Sequence, residues 1–147
     1  ARPPELVALA RDRGMDDDPN VRQALADLHI HESIRGFMAQ RIRVAVAAGR
    51  VPGPEGSLAK LTGSLLARRV RDVAVAVLGP EVQAWEDGTA GSEPAERWST
   101  FCISAAGISI AGGTDEVQRN IIGERVLGLP KEPDPFKGAA WLDVPRS

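Results

Sequence analysis

The sequence lacks tyrosine altogether and contains a single cysteine, Cys102, among its 147 residues. A lone cysteine cannot close an internal disulfide, so we expect a reducing, cytoplasmic setting for this protein. The chain also lacks a basic excess, since its formal net charge is -2, and this disfavours binding to nucleic acid or to a membrane surface. No apolar run approaches the roughly 20 residues of a membrane-spanning helix, and we expect no secretory signal.

Strand patterns are missing as well, because no run alternates β-branched or aromatic residues with polar ones. The hydrophobic share of 43% and the charged share of 26% are typical of an ordinary globular protein. A chain of this length fits one domain and is long enough to bury a core. We therefore expect a single helical domain over residues 1–147. Because the sequence begins with Ala1, a processed start, a fragment and a natural short subunit all stay open.

Five segments have the 3.6-residue apolar period of a helix, with proline at several starts and glycine at most ends. The predicted helices cover about residues 4–13, 19–48, 55–78, 95–111 and 114–127. Val21, Leu28 and Phe37 fall on the predicted apolar face of the second helix. Four longer helices after a short first one predict an all-α, up-and-down four-helix bundle.

Two segments lack this period. Residues 85–94 are rich in glycine, serine, threonine and acidic residues, and we expect them to form the most mobile internal loop. Residues 130–147 contain four prolines, so we expect an extended tail that is ordered only where something covers it.

A glycine pair, Gly112 and Gly113, separates the fourth helix from the last. Two glycines permit a sharp bend, and Thr114 is suited to cap the helix that follows. Asp115 and Glu116 favour the positive end of that helix. A well-made helix start is one interpretation of this segment. The other is a functional site, because a helix start behind a glycine pair can hold the electron-rich edge of a cofactor or a phosphate.

The same segment resembles the C-terminal signature of the acyl-CoA dehydrogenases. The matching runs are GTDEVQRNII at residues 113–122 and ERVLGLP at residues 124–130. Weaker resemblance to the second and third helices of that family's last domain extends backwards, at residues 18–28 and 57–61. The resemblance covers most of the chain, but only the C-terminal helical domain of the family. The family's upstream N-terminal helical domain and β-domain have no counterpart in this sequence.

This resemblance implies a domain of a flavin-dependent enzyme that carries out α,β-dehydrogenation of an acyl-CoA thioester. In the family a glutamate removes the α-proton, and the β-hydrogen leaves as hydride to FAD. The resemblance also implies a homo- or hetero-oligomer, dimer or tetramer, in which the bundle packs against other subunits and completes part of an FAD site. A bulky acyl group such as a sterol side chain is one candidate, because hetero-oligomeric members with missing bases resemble this chain.

The resemblance implies cofactor contacts at two places. Gly113, Thr114 and Glu116 lie in the signature at the start of the last helix. Arg13 lies near the position of a family arginine that reaches the flavin pyrophosphate of a neighbouring subunit. The phenylalanine and glycine that usually follow that arginine are not preserved as a pattern here.

The sequence departs from the family at two positions. Gly112 stands where many members carry the catalytic glutamate, and glycine has no carboxylate to act as a base. Other members carry the glutamate on the first helix of this domain, at a position upstream of Ala1, so no catalytic residue is assigned. The glycine-rich flavin contact after the third helix is reduced to Gly79. A non-catalytic partner subunit or interaction bundle is therefore the alternative function, and we expect the isolated chain to be inactive and to lose FAD.

The remaining candidates favour structural roles. His29 and His31 lie two residues apart and point to different sides of a helix, so we expect no metal site. The aspartates at residues 16–18 suit a solvated, helix-capping turn. Cys102 suits a buried structural thiol. A basic cluster suits a solvated face, with an interface or a CoA-phosphate contact as the alternative: Arg68, Arg69 and Arg71.

Overall fold

The computed structural model describes residues 3–51, 53–83, 93–133, 135–140 and 142. These residues form five α-helices and a short 3-10 turn, Gly79–Val82. The helices are α1 (Pro3–Asp12), α2 (Pro19–Ala47), α3 (Glu55–Leu78), α4 (Glu93–Ile108) and α5 (Asp115–Arg125). The described part of the chain contains no β-strand, so the all-α prediction is confirmed.

The helix boundaries follow local signals at most positions. Asp18 caps α2, because its Oδ1 accepts hydrogen bonds from the backbone N–H groups of Asn20 and Val21 at 2.8 and 3.0 Å. Gly79 ends α3 with a φ of 61°, a conformation that favours glycine. The predicted ends are within three residues of the observed ones. The largest difference is at the end of α4, where the Ser109 carbonyl accepts the N–H of Asp115 at 3.1 Å instead of continuing the helix.

The central element is α3, which packs against α1, α2, α4 and α5. Its buried face is almost entirely aliphatic, as expected for a helix surrounded by others. The core combines this face with side chains of the other helices and of the 3-10 turn: Leu6, Leu28, Leu66, Val70, Val73, Val77, Val82 and Trp98. The Trp98 ring also meets Phe101 edge to face, with 5.8 Å between ring centroids.

The apolar face predicted for α2 is only half correct. Val21 and Leu28 are buried, but Phe37 is 65% exposed. The core contacts of α2 come from α1 and α3, and the second half of the helix extends along α3 without burying any residue fully. The helical period therefore predicts correctly that Phe37 lies on an apolar stripe. The prediction that this stripe faces the core is wrong.

The described residues that follow α5 include no further α-helix. Residues 130–133 have no regular secondary structure, and residues 135–138 form a turn. The loop predicted at residues 85–94 lies mostly outside the described residues, although α4 already begins within it at Glu93. No helix in the described ranges combines the length and the apolar character needed to cross a membrane.

Candidate functional site

The signature segment lies at the surface between α4 and α5. Gly112 and Gly113 have positive φ values of 69° and 93°, which turn the chain sharply into α5. Thr114 is the N-cap, and its Oγ1 accepts a hydrogen bond from the Val117 N–H at 3.3 Å. The predicted helix cap is therefore confirmed. The same hydroxyl also hydrogen-bonds the exposed Glu116 carboxylate and helps to lower the pKa of Glu116.

The buried side chain of Gln118 supports the glycine pair from the interior of the domain. The Gln118 amide Nε2 donates a hydrogen bond to the Gly112 carbonyl at 3.0 Å. A Cβ atom at Gly113 would lie 2.7 Å from the same nitrogen. A side chain at position 113 would therefore displace the Gln118 amide from this hydrogen bond, whether or not a ligand approaches.

We predict that Gly113→Ala destabilises the fold by about 2–3 kcal/mol, because the methyl group adds backbone strain and displaces the Gln118 amide from its hydrogen bond. Gly112→Ala is the matched control. It carries the same backbone strain of about 1 kcal/mol, but a Cβ atom there meets nothing within 4 Å. Urea unfolding measures both. Equal losses for the two variants would contradict this packing role of Gly113.

Asp115, the first residue of α5, forms the centre of a buried polar network. Its Oδ1 accepts hydrogen bonds from the Ser64 hydroxyl at 2.5 Å and from the Lys60 ammonium at 3.1 Å. Its Oδ2 accepts a hydrogen bond from Arg68 at 2.8 Å. Lys60 also donates to the carbonyl of Ser109 at 3.3 Å, so both ends of the α4–α5 loop are tied to α3.

The sequence contained a signal for this network. Lys60, Ser64 and Arg68 follow one another at intervals of four, so they share one face of α3. Asp115 was interpreted only as a residue that favours the helix dipole, yet it is 2% exposed. The solvated-face interpretation of Arg68 is likewise wrong, because its guanidinium pairs with this buried carboxylate.

The network sets the protonation of Asp115. The hydrogen bond from Ser64 and then the Lys60 ammonium together lower the pKa of Asp115 from 3.8 to about 2, against the opposing effect of burial. Because the pKa is lower in the folded state, the ionised carboxylate adds stability above about pH 3.8. That contribution is lost as the pH falls through about 2.

We therefore predict that acid sensitivity between about pH 4 and pH 2 depends in part on this residue. Asp115→Asn cannot ionise, so its stability should fall less over that interval than the stability of the unsubstituted protein. Urea unfolding at closely spaced pH values measures the difference. Parallel curves for the two proteins would show that Asp115 is not the titrating group.

A shallow groove of about 500 Å³ adjoins the signature segment, between the start of α3 and α5. Lys60, Gln118 and Arg125 are among the residues that line it. Glu116 lies exposed at the first turn of α5, where its own backbone N–H and then the Thr114 hydroxyl lower its pKa. Gly113, Thr114 and Glu116 lie side by side at the start of α5, and their contact with a cofactor stays a prediction.

Arg13 does not join this group. It follows α1, which has no packing contact with α5, and its guanidinium holds Glu81 of the 3-10 turn. The two hydrogen bonds are both 2.7 Å long, and this pairing lowers the pKa of the Glu81 carboxyl. Within one chain, Arg13 and Thr114 therefore belong to separate surfaces.

The other sequence candidates have local partners. The imidazole Nδ1 of His31 lies 2.9 Å from the Asp27 carbonyl oxygen. Arg69 pairs with the Asp27 carboxylate, and Arg71 pairs with its neighbour Asp72. Cys102 is half-buried at the edge of the core, and burial raises the pKa of its thiol. A raised pKa lowers the thiolate fraction, as expected for a structural cysteine.

Comparison with known proteins agrees with the signature. Residues 5–127 match the family model described as the acyl-CoA dehydrogenase C-terminal domain. Acyl-CoA dehydrogenase IpdE1 of Mycolicibacterium smegmatis is 34% identical over 128 residues, which cover 86% of this chain and 30% of the relative. The IpdE1 protein of Mycobacterium tuberculosis is 31% identical, with 86% and 31% covered. The chain therefore spans about 30% of the length of these curated relatives.

Solved structures show the same fold. The structure described as the Tcur3481-Tcur3483 steroid ACAD aligns with a TM-score of 0.73 at 22% identity, covering 88% of this chain and 34% of that one. The ChsE4-ChsE5 complex from Mycobacterium tuberculosis aligns with a TM-score of 0.64 at 26% identity, covering 90% and 37%. On the strength of the family match over residues 5–127, the chain belongs to the acyl-CoA dehydrogenases, as a C-terminal helical domain.

Proposed function

We propose that this domain serves a flavin-dependent acyl-CoA dehydrogenase, in which it packs against other subunits and completes part of an FAD site. The observation that carries the proposal is the start of α5. There the family's Gly113 and Thr114 are held at the surface by the buried Gln118 and Asp115, and the Thr114 hydroxyl caps the helix beside the exposed Glu116. The proposed substrate is an acyl-CoA thioester. A narrower proposal is that its acyl group is bulky, such as a sterol side chain.

The described residues fit part of an FAD site. A surface hydroxyl at a helix start, beside a glycine without a side chain, suits a polar edge of the flavin ring system. When FAD is bound, it supplies the oxidising capacity for α,β-dehydrogenation. The domain's own contribution is a fixed donor: Thr114 is anchored by its cap, and α5 is anchored to α3 by Asp115.

Flavin affinity tests the role of Thr114. In the assembled protein that contains this domain, Thr114→Val removes the hydroxyl, and we expect FAD to bind about tenfold more weakly, as for one lost hydrogen bond. Thr114→Ser keeps both the donor and the helix cap, so it should bind FAD normally. Thr100→Val, at an exposed position on α4, controls for the loss of a surface hydroxyl. Unchanged FAD affinity in Thr114→Val would refute the contact.

A second function has its own supporting observations. Gly112 offers no carboxylate, and the Arg13 guanidinium is already held by Glu81 within the chain. Both features suit a non-catalytic partner subunit of a hetero-oligomeric dehydrogenase. The ChsE4-ChsE5 structure, in which two differently named chains form a complex, is consistent with that alternative.

Raised turnover in Gly112→Glu of the assembled protein would favour the second function. If another glutamate of the same polypeptide serves as base, the substitution leaves turnover unchanged. If the polypeptide is a non-catalytic partner with no base, a carboxylate at this position raises turnover only where this chain borders an active site. Steady-state turnover with an acyl-CoA and an electron acceptor measures the effect.

A further inference from the structure

The buried network at the start of α5 contains more positive than negative charge. Lys60 and Arg68 both pair with the buried Asp115, at 3.1 and 2.8 Å. Because the pKa of Asp115 is lowered to about 2, its carboxylate is ionised at neutral pH. The remaining partner, the hydroxyl of Ser64, is neutral. Two cations therefore share one carboxylate, and one positive charge is left over.

The charges around this network do not cancel the excess. Glu116, the next carboxylate along α5, is exposed and pairs with Arg119. The groove between α3 and α5 adds charge of the same sign, because Lys60 and Arg125 line it and none of its described lining residues has a carboxylate. The first turn of a helix also has a partial positive charge. The start of α5 is therefore electropositive.

Such an excess charge affects a cofactor whose own charge changes during the reaction. A hydride consists of two electrons and one proton, so a flavin that accepts one gains one negative charge. A nearby fixed positive charge stabilises the more negative form, and it does so more strongly where water is partly excluded. The side chains of Lys60 and Arg68 are 19% and 36% exposed, so solvent screens them only in part.

We propose that the network of Lys60, Arg68 and Asp115 raises the reduction potential of a flavin bound at Thr114. The three residues act through their net charge and do not touch the flavin, so they are positioning residues. The inference rests on the FAD contact proposed above. It differs from a purely structural anchoring of α5 in one respect: its effect on the flavin depends on the sign of the charge that is removed.

The test measures the flavin midpoint potential of the native oligomer that contains this domain, by equilibration with a redox dye during gradual reduction. Arg68→Gln removes one positive charge and keeps a hydrogen-bond donor for Asp115. We expect it to disfavour the reduced flavin about tenfold, which lowers the potential of a two-electron couple by about 30 mV. Arg68→Lys keeps the charge and should leave the potential unchanged. Lys60→Gln should lower the potential as Arg68→Gln does, and it decides the matter if Arg68→Gln does not assemble.

Asp115→Asn tests the sign of the effect. It removes the negative charge and keeps an acceptor for Ser64, so we expect it to favour the reduced flavin about tenfold and to raise the potential by about 30 mV. A structural loosening of α5 would move the potential in the same direction in Arg68→Gln and in Asp115→Asn. Arg69→Gln is the matched control, because Arg69 follows Arg68 on α3 but pairs with Asp27 on α2. Its potential should stay unchanged.

The outcomes separate this inference from the proposed function. Unchanged potentials in Arg68→Gln and Asp115→Asn, or shifts of the same sign in both, would overturn the inference and leave the FAD contact standing. A shift in Arg69→Gln as large as that in Arg68→Gln would also overturn it, because the overall charge of the domain would then explain the effect. Flavin content is measured first, and an unsubstituted oligomer without flavin would overturn the proposed function and the inference together.

Discussion

Asp115→Ala is expected to destabilise the domain by about 3 kcal/mol and to lower its melting temperature by about 10 °C. The substitution removes the acceptor shared by Ser64, Lys60 and Arg68, and it leaves two cations facing each other beside the core. Removing one partner of a buried ionic network costs more than the network contributes, because the remaining charges lose their compensation. Thermal and urea unfolding measure the loss.

Glu116→Ala is the matched control for this prediction. It removes a neighbouring carboxylate from the same helical turn, but Glu116 is exposed and its ion pair is with Arg119 on the same helix. Exposed pairs of this kind contribute little, so the melting temperature should change much less. If both variants were equally stable, the buried network would not be what joins α5 to α3.

The isolated 147-residue chain is expected to purify without FAD and to show no acyl-CoA dehydrogenation. The described residues offer the hydroxyl of Thr114 to a flavin, and the chain spans about 30% of the length of its curated relatives. A positioned base contributes roughly 100- to 10,000-fold to proton abstraction, and Gly112 cannot act as one. Flavin absorbance and turnover with an electron acceptor measure both properties.

Gly112→Glu in the isolated chain is the control for that result. The new carboxylate would face no bound flavin, so it should restore neither colour nor turnover. A yellow preparation of the unsubstituted chain, with near-stoichiometric flavin and measurable turnover, would contradict the prediction.

Much of the fold could be predicted from the sequence, because its signals are local. Proline and glycine mark the ends of helices. Asp18 caps α2 as expected, and Gly79 ends α3 where predicted. The 3.6-residue period also placed Phe37 on an apolar stripe. The period cannot tell whether a stripe faces the core or a partner, so the burial of Phe37 was predicted wrongly.

The site could be predicted only in part. The signature led directly to Gly113 and Thr114, and their helix start is present. The buried Asp115 was missed, because its partners Ser64 and Lys60 are 51 and 55 residues away and only tertiary packing brings them near. Arg13 lies on a separate surface, and its role at a neighbouring subunit's flavin stays a prediction.

The most direct test is to purify the native oligomer that contains this domain, by a tag on this chain, and to measure its bound flavin. We expect that the oligomer carries FAD, that addition of an acyl-CoA bleaches the flavin absorbance, and that Thr114→Val lowers the FAD content while Thr114→Ser preserves it. An oligomer that contains intact Thr114 but no flavin, or a flavin that no acyl-CoA reduces, would contradict this expectation.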